Sequence, residues 1–432
     1  MKLRISNLGV IESMEIDMSK PFILFAGDNG TGKTYAATYL YTLILFLRAA
    51  FSFPNSRLEE NGVSVYKLLD EGVVEGGLDS DKLYDFLNDI LKQRNVDILG
   101  IMNLNIKSDS FKCEIVTTKE EWNEELWNKS VSVLSDMIVK REKTFNYKLN
   151  ISHNDNLKFI QTLLLISLFF DGIIGAQIFT AERSGIYTFS KELSVGRLRN
   201  PDERYNVRYP KPIADGLADA TDVVNKRKNK SEYHKFADEI EKMVLHGNLT
   251  VSEDGDMAYH VSDDTELGFN ESSSAIKTLA PLVFYLRHSA GQFNILFVDE
   301  PELNLHPKNQ ILLAKIFVKM INAGLRLVIS THSDYIIREI NNMIMADSLK
   351  NAGYEGIKNK GYDDSLCLSL DKFVPYLFEK NKDSDKVNVK QLEVDRYGFE
   401  MPSIDEAINK QNDVTDTFYE VLKYDYPINK QN

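Results

Sequence analysis

The residues Gly27-Asp28-Asn29-Gly30-Thr31-Gly32-Lys33-Thr34 have the types and spacing to hold a polyphosphate. They complete the pattern G-x-x-x-x-G-K-[ST] directly after the apolar run Phe22-Ile23-Leu24-Phe25-Ala26. In such a loop, glycines let main-chain amides curl around phosphate oxygens, a lysine reaches the β- and γ-phosphates, and a hydroxyl ligates magnesium. Lys33 and Thr34 carry the last two tasks. The segment from residue 35 to about 50 reads as a helix whose N-terminal dipole faces the same anion. Binding of a nucleoside triphosphate follows. A chance glycine turn does not account for strand, loop and helix together.

Adjacent carboxylates supply the rest of a hydrolytic centre. The apolar run Asn294-Ile295-Leu296-Phe297-Val298 ends in Asp299-Glu300-Pro301-Glu302. A buried parallel strand delivers its C-terminal residues to the ligand edge of a sheet. Asp299 is therefore expected beside the magnesium held by Thr34. Glu300 is expected beside the water that attacks the γ-phosphate, as its general base. Leu325-Arg326-Leu327-Val328-Ile329-Ser330 repeats the architecture and ends in Thr331-His332-Ser333. A histidine at that strand end can donate to the γ-phosphate, so His332 is expected as its sensor.

A chain of 432 residues has room for the sheet these groups require. It accommodates two or three average domains, or one large α/β domain with an insertion. At 43% hydrophobic and 27% charged, it has the composition of a globular protein that buries a core. Cys113 and Cys367 are its only cysteines and lie far apart. That excludes a disulfide scaffold, a zinc ribbon and a cysteine-held iron–sulfur cluster, and suits a reducing compartment. The opening Met1-Lys2-Leu3-Arg4-Ile5-Ser6 reads as a strand and lacks the apolar stretch of a secretory signal. The most apolar stretches, 40–51 and 163–170, contain Arg48 or stop at Asp171, and both fall short of the roughly 18 residues of a membrane span. They read as buried helices, and a cytoplasmic protein without a membrane partner is expected. A net charge of −13 disfavours whole-surface attraction to nucleic acid and leaves a local basic groove open.

Far more chain separates Lys33 from Asp299 than a compact kinase or GTPase uses, so a segment is inserted between them. Asn409-Lys410-Gln411-Asn412 lacks the aspartate that would select guanine. Charged helical segments at 79–94 and 119–140 and β-like runs at 97–116 and 145–151 carry no sustained heptads, which predicts a compact lobe and not a long coiled coil. The C-terminal 411–432 reads as a polar helix or tail. Upstream of the carboxylates, Glu271-Ser272-Ser273-Ser274-Ala275-Ile276-Lys277 opens a helix with serines. These form either an ordinary N-cap or a second anion site.

In this order the motifs resemble the ABC-type ATPases of the RecF, SMC and OLD kind, and especially the stand-alone AAA-family ATPases of bacterial anti-phage systems of Septu or PARIS type. The resemblance rests on the 27–34 loop, on Ser273-Ser274-Ala275-Ile276-Lys277 as signature segment, on Asp299-Glu300-Pro301-Glu302-Leu303-Asn304-Leu305-His306-Pro307 as Walker B element and D-loop, and on Ser330-Thr331-His332-Ser333 as switch. Ala181-Glu182-Arg183-Ser184-Gly185 and Leu392-Glu393-Val394-Asp395-Arg396-Tyr397-Gly398-Phe399 look like the defence subgroup. The resemblance implies an α/β ATPase head with a mixed central sheet, an N-terminal β-subdomain and an inserted helical lobe, divided as 1–55, 56–160 and 161–432. ATP and Mg2+ are its implied ligands, and a homodimer or higher homo-oligomer its implied assembly. Ser273 and Ser274 would then contact the γ-phosphate of a second copy, and Asn304 would cross the interface. Ala275 stands where the family carries glycine, which limits close backbone approach and implies slow turnover. Gln177 is the nearest candidate for the family's Q-loop glutamine. For Arg183, an ion pair with Glu182 or another carboxylate is the common fate.

Arg197, Arg199, Arg204, Arg208 and Lys211, interleaved with Tyr205 and Tyr209, are candidates for nucleic-acid contact, as are Lys226, Arg227 and Lys228. A solvated face is the alternative. The seven histidines are scattered and no acidic TOPRIM-like block follows, so no nuclease of either kind is expected within the chain. The resemblance therefore implies a separately encoded effector, a nuclease or toxin, for which the ATPase is sensor and regulatory scaffold in anti-phage defence. The rival is a DNA-repair or chromosome-maintenance ATPase that clamps DNA.

Overall fold

The computed structural model describes residues 1–51, 63–68, 74–78, 80–102, 110–117, 124–145, 164, 167, 170–192, 209–262, 264–381 and 384–424. Its strands are β1 (Lys2–Leu8), β2 (Ile11–Asp17), β3 (Phe22–Gly27), β4 (Val63–Leu68), β5 (Val74–Leu78), β6 (Lys112–Ile115), β7 (Gly175–Phe179), β8 (Asn248–Val251), β9 (Met257–Ser262), β10 (Thr265–Gly268), β11 (Asn294–Asp299), β12 (Arg326–Thr331), β13 (Phe373–Lys380) and β14 (Val387–Gln391). Nine of them form one mixed sheet in the order β6-β1-β2-β14-β13-β3-β12-β11-β7. From β13 to β7 every pairing is parallel, whereas β6, β1 and β2 pair antiparallel at the other end. The sheet is thus that of a mixed α/β fold, parallel in its main part and antiparallel in its N-terminal portion. β8, β9 and β10 form a separate antiparallel sheet, as do β4 and β5.

Both faces of the parallel part are covered, which is why β3 is buried at every position and its neighbours β11 and β12 carry consecutive and not alternate hydrophobics. In β3, Ile23 and Phe25 join one core, with Phe297, Val328 and Tyr376 and with Tyr39, Leu40, Leu43 and Ile44 of the helix Lys33–Phe51. Phe22, Leu24 and Ala26 point the other way, with Leu296, Val298, Leu327 and Ile329. There they meet the helices Ser274–His288, Pro307–Asn322 and Asp334–Asn351. The period of two residues per strand therefore divides one run of hydrophobics between two cores.

The stretch 56–160 is tied to the main sheet: β6 pairs with β1, and the helix Ser80–Met102 packs on the helix Lys33–Phe51. Of the β-like run expected at 97–116, the part up to Met102 is helical and, among the described residues, Lys112–Ile115 is strand. The reason is spacing, since Leu83, Leu87, Leu91, Ile98 and Met102 follow one another at intervals of four or seven residues, one or two helical turns, and are all buried. Residues 146–151 lie outside the described residues. The C-terminal helix Pro402–Tyr424 is not polar all round: Val414, Phe418, Val421 and Leu422 form an exposed apolar stripe. Among the described residues no helix is long and apolar enough to cross a membrane.

One ion pair pins the entry to β7 against the start of β12. Arg326 Nη2 donates to Asp171 Oδ2 at 3.0 Å and to the Asp171 carbonyl at 2.6 Å, and Lys129 Nζ donates to Asp171 Oδ1 at 2.6 Å. Burial alone would raise the Asp171 carboxyl, but Arg326 and Lys129 outweigh it and hold it below the usual carboxylate range. Arg326→Met should lower stability to urea by about 3 kcal/mol at neutral pH, because it leaves a mostly buried carboxylate short of a partner. Because the folded pKa is depressed, this contribution is complete above the unfolded value of about 4 and disappears as pH falls through the folded one. The gap between variant and wild type should accordingly close in acid.

Candidate active site

The phosphate loop is a set of backbone conformations that glycine alone adopts without strain. β3 ends at Gly27, whose φ is +138°, and Gly30 and Gly32 follow at +72° and +92°. A Cβ on Gly27 would sit 2.3 Å from the Phe378 carbonyl oxygen of β13, whereas one on Gly30 would meet nothing within 4 Å. Gly27 therefore permits close approach of two strands, and Gly30 only a turn. Thr31 Oγ1 donates to the Asp28 carbonyl at 2.8 Å. Lys33 Nζ donates to the Gly27 and Asp28 carbonyls, both at 2.8 Å, so the ammonium is drawn back into the loop.

The predicted partners from the distant half of the chain arrive at the same place. Thr34 Oγ1 donates to Asp299 Oδ2 at 2.8 Å across 265 positions of sequence, and Ser330 Oγ donates to the other oxygen, Oδ1. His332 Nε2 lies 2.8 Å from Glu300 Oε1. Asn29, Gly30, Thr31, Gly32, Lys33, Thr34, Glu300 and His332 line one cleft. Gly9, Val10 and Tyr35 line it too, and no motif announced them. Gly9 and Val10 belong to the turn between β1 and β2, which only the sheet order brings over the loop.

Carboxylates outnumber cations here. Burial lowers the Lys33 ammonium, against the opposing pull of Asp299, Glu300, Asp28 and Glu302. Asp299 is pushed up by burial, although the Ser330 and Thr34 hydroxyls favour its charged form. Glu302 is raised for the same reason, while Oε1 accepts from Thr331 Oγ1 at 2.7 Å and from the His332 amide at 2.9 Å. Glu302 thus fixes the strand end that carries His332, a role that its place in the Asp-Glu-Pro-Glu run did not disclose. The excess negative charge is what a divalent cation would neutralise. Among the described residues no three His, Cys, Asp or Glu side chains form a metal cage. A hydroxyl beside one carboxylate suits magnesium, which keeps water and phosphate oxygens in its remaining positions.

Arg183 departs from the ion pair expected of it. Its hydrogen bonds among the described residues all go to main-chain carbonyls: Nε to Thr278 at 3.0 Å, Nη1 to Thr180 at 3.0 Å and to Asp299 at 2.6 Å, and Nη2 to Glu300 at 2.9 Å. Burial pulls this guanidinium down to about 10, with Asp299, Glu302, Glu300 and Glu182 opposing, so it stays charged at neutral pH.

Other predicted residues lie apart from the cleft. Gln177, in mid-β7, donates to Asp219 Oδ2 at 2.7 Å and does not line it. Ser273 caps the helix Ser274–His288 by accepting from the Ile276 amide, and Ser273 and Ser274 are both exposed. Asn304 Nδ2 donates to Thr278 Oγ1 at 3.0 Å. Arg197, Arg199, Arg204 and Arg208 lie outside the described residues. Lys226 is paired with Asp219 and Asp222 and Arg227 with Glu253, while Lys228 is exposed.

A glycine-built loop, a Thr–Asp contact beneath it and a Glu–His pair facing it, all at the ends of neighbouring parallel strands, define a P-loop nucleoside triphosphatase. The chain belongs to the AAA ATPase domain family, whose model matches residues 1–337. No curated protein matches the chain. Among solved structures, an SMC head bound to the C-terminal winged-helix domain of ScpA is 11% identical, with 91% of this chain and 98% of that chain covered and a TM-score of 0.39. The SMC head domain of Thermotoga maritima is 9% identical, with 91% and 98% covered and a TM-score of 0.35. Superpositions this loose carry no functional weight.

The two glycines give a contrast that can be measured. Gly27→Ala combines a forbidden φ with a clash against Phe378 and should cost about 3 kcal/mol in urea unfolding. Gly30→Ala meets only the backbone strain and should cost about 1 kcal/mol. Equal losses would refute the close-approach account of Gly27.

Proposed function

We propose that this protein hydrolyses ATP between two copies of the chain and uses that cycle to regulate a separately encoded effector, a nuclease or toxin, in anti-phage defence. One observation carries the two-copy site. The signature serines Ser273 and Ser274 are exposed at a helix start and stand outside the cleft that holds Lys33, Glu300 and His332. A second copy is what would bring serines to the γ-phosphate. The effector and the defence role rest on the sequence resemblance, above all on 181–185 and 392–399.

Within one cleft the roles follow from chemistry. Lys33 exchanges its loop carbonyls for phosphate oxygens when ATP enters, and the amides of 29–34 line the polyphosphate. Thr34 and Asp299 would hold a bound magnesium ion, which would supply positive charge against the polyphosphate. Glu300 accepts the proton of the attacking water, and His332, in contact with it, holds that carboxylate in position. The extra methyl of Ala275 beside the signature serines keeps turnover slow.

Glu300→Gln is the decisive variant, because it preserves shape and removes the base. It should retain ATP binding, lose at least about 100-fold in turnover, and sediment as a dimer in MgATP. Turnover at the wild-type rate would sink the assignment of Glu300. A nuclease or toxin encoded beside this chain should co-purify at fixed stoichiometry; DNA-stimulated hydrolysis with no protein partner would favour a DNA clamp instead.

A further inference from the structure

We infer that Arg183 is a positioning residue that passes the state of the signature segment to the general base of the same chain, through Thr278. This inference rests on the two-copy site proposed above. Arg183 opens the short helix Arg183–Thr188, which packs on the signature helix Ser274–His288. Its single guanidinium joins three elements, of which β7 and β11 already pair in the sheet, so that it ties the helix Ser274–His288 to that strand pair. The three are the end of β7 at Thr180, the end of β11 at Asp299 and Glu300, and the second turn of the signature helix at Thr278.

Thr278 is engaged twice. Its carbonyl accepts from Arg183, and its hydroxyl accepts from Asn304. Both residues of the loop after β11 that this node reaches are strained, Glu300 at φ +46° and Asn304 at φ +59°. Non-glycine residues hold the left-handed conformation only where their surroundings impose it. Arg183 on the Glu300 carbonyl and the Ser330 carbonyl on the Glu300 amide, at 2.9 Å, are that imposition. Ser274 lies one helical turn before Thr278. A phosphate engaged by Ser273 and Ser274 pulls on the start of this helix, and Thr278 moves with it. The guanidinium then carries the displacement to the Glu300 backbone. Hydrolysis in one cleft thereby depends on whether the same chain's serines hold a nucleotide in the other.

Lysine keeps the charge of Arg183 but lacks the planar fork, and cannot serve carbonyls on three elements at once. Arg183→Lys should leave ATP affinity within about threefold and lower kcat about 30-fold. The discriminating measurement is a double-mutant cycle on kcat with Ser274→Arg, which blocks the signature end. If both act along one route, the double variant turns over no more slowly than the slower single variant. Should Arg183→Lys fail to fold, Arg183→Gln, which keeps one amide donor and cannot reach carbonyls on three elements, enters the same cycle. Losses that multiply, or an Arg183→Lys rate equal to wild type, overturn the relay and leave the two-copy site standing. Wild-type turnover of Ser274→Arg alone rejects the two-copy site, and the relay with it.

Discussion

The lateral register of three parallel strands, β3, β12 and β11, is the constraint on which the site depends. Phe25 of β3 stands opposite Ser330 of β12, and Ser330 opposite Asp299 of β11. That alignment brings the Thr34 and Ser330 hydroxyls onto the two oxygens of one carboxylate. A slip of one residue in β11 would turn Asp299 into the opposite face and remove it from the loop. The register is held because each strand divides its apolar residues between two cores, so any slip would place buried residues on the wrong side.

Charge and strain are concentrated at the same strand ends. A single buried lysine faces Asp28, Asp299, Glu300 and Glu302, and burial raises Asp299 and Glu302. The arrangement is poised for a cation and a polyphosphate, whose arrival supplies positive charge to the carboxylates and negative charge to the lysine and loop amides. Glu300 and Asn304 meanwhile occupy left-handed backbone conformations: Glu300 accepts from Arg183 and donates its amide to the Ser330 carbonyl, and Asn304 donates to the Thr278 hydroxyl. Such conformations persist because several surrounding groups impose them at once.

Contiguity decided what was legible in the sequence. The phosphate loop lies within eight residues, the carboxylates end an apolar run and His332 follows a second, largely apolar strand, so composition and neighbours identified them together. Arg183 was visible only as a polar residue after a strand, because its partners are carbonyls, which carry no side-chain signature. Gln177 was chosen for its place beside a strand, yet it faces Asp219, since which side of an edge strand a residue takes is settled by packing. The run 97–102 read as strand because β-branched and apolar residues suit both states, while its buried positions follow a helical period.

By itself, then, the sequence marked out the groups of the site: a glycine-built phosphate loop, two adjacent carboxylates and a histidine, each placed at a strand end by local pattern. It also determined the family, since the match spans 1–337. Tertiary structure decided which groups touch. The Thr34–Asp299 contact, the turn at Gly9 and Val10 over the loop, and the Arg183 bridge from the helix Ser274–His288 to Glu300 all join segments remote in sequence. Such contacts are set by sheet order and register, which arise from the burial of two cores at once and are written in no single stretch of residues.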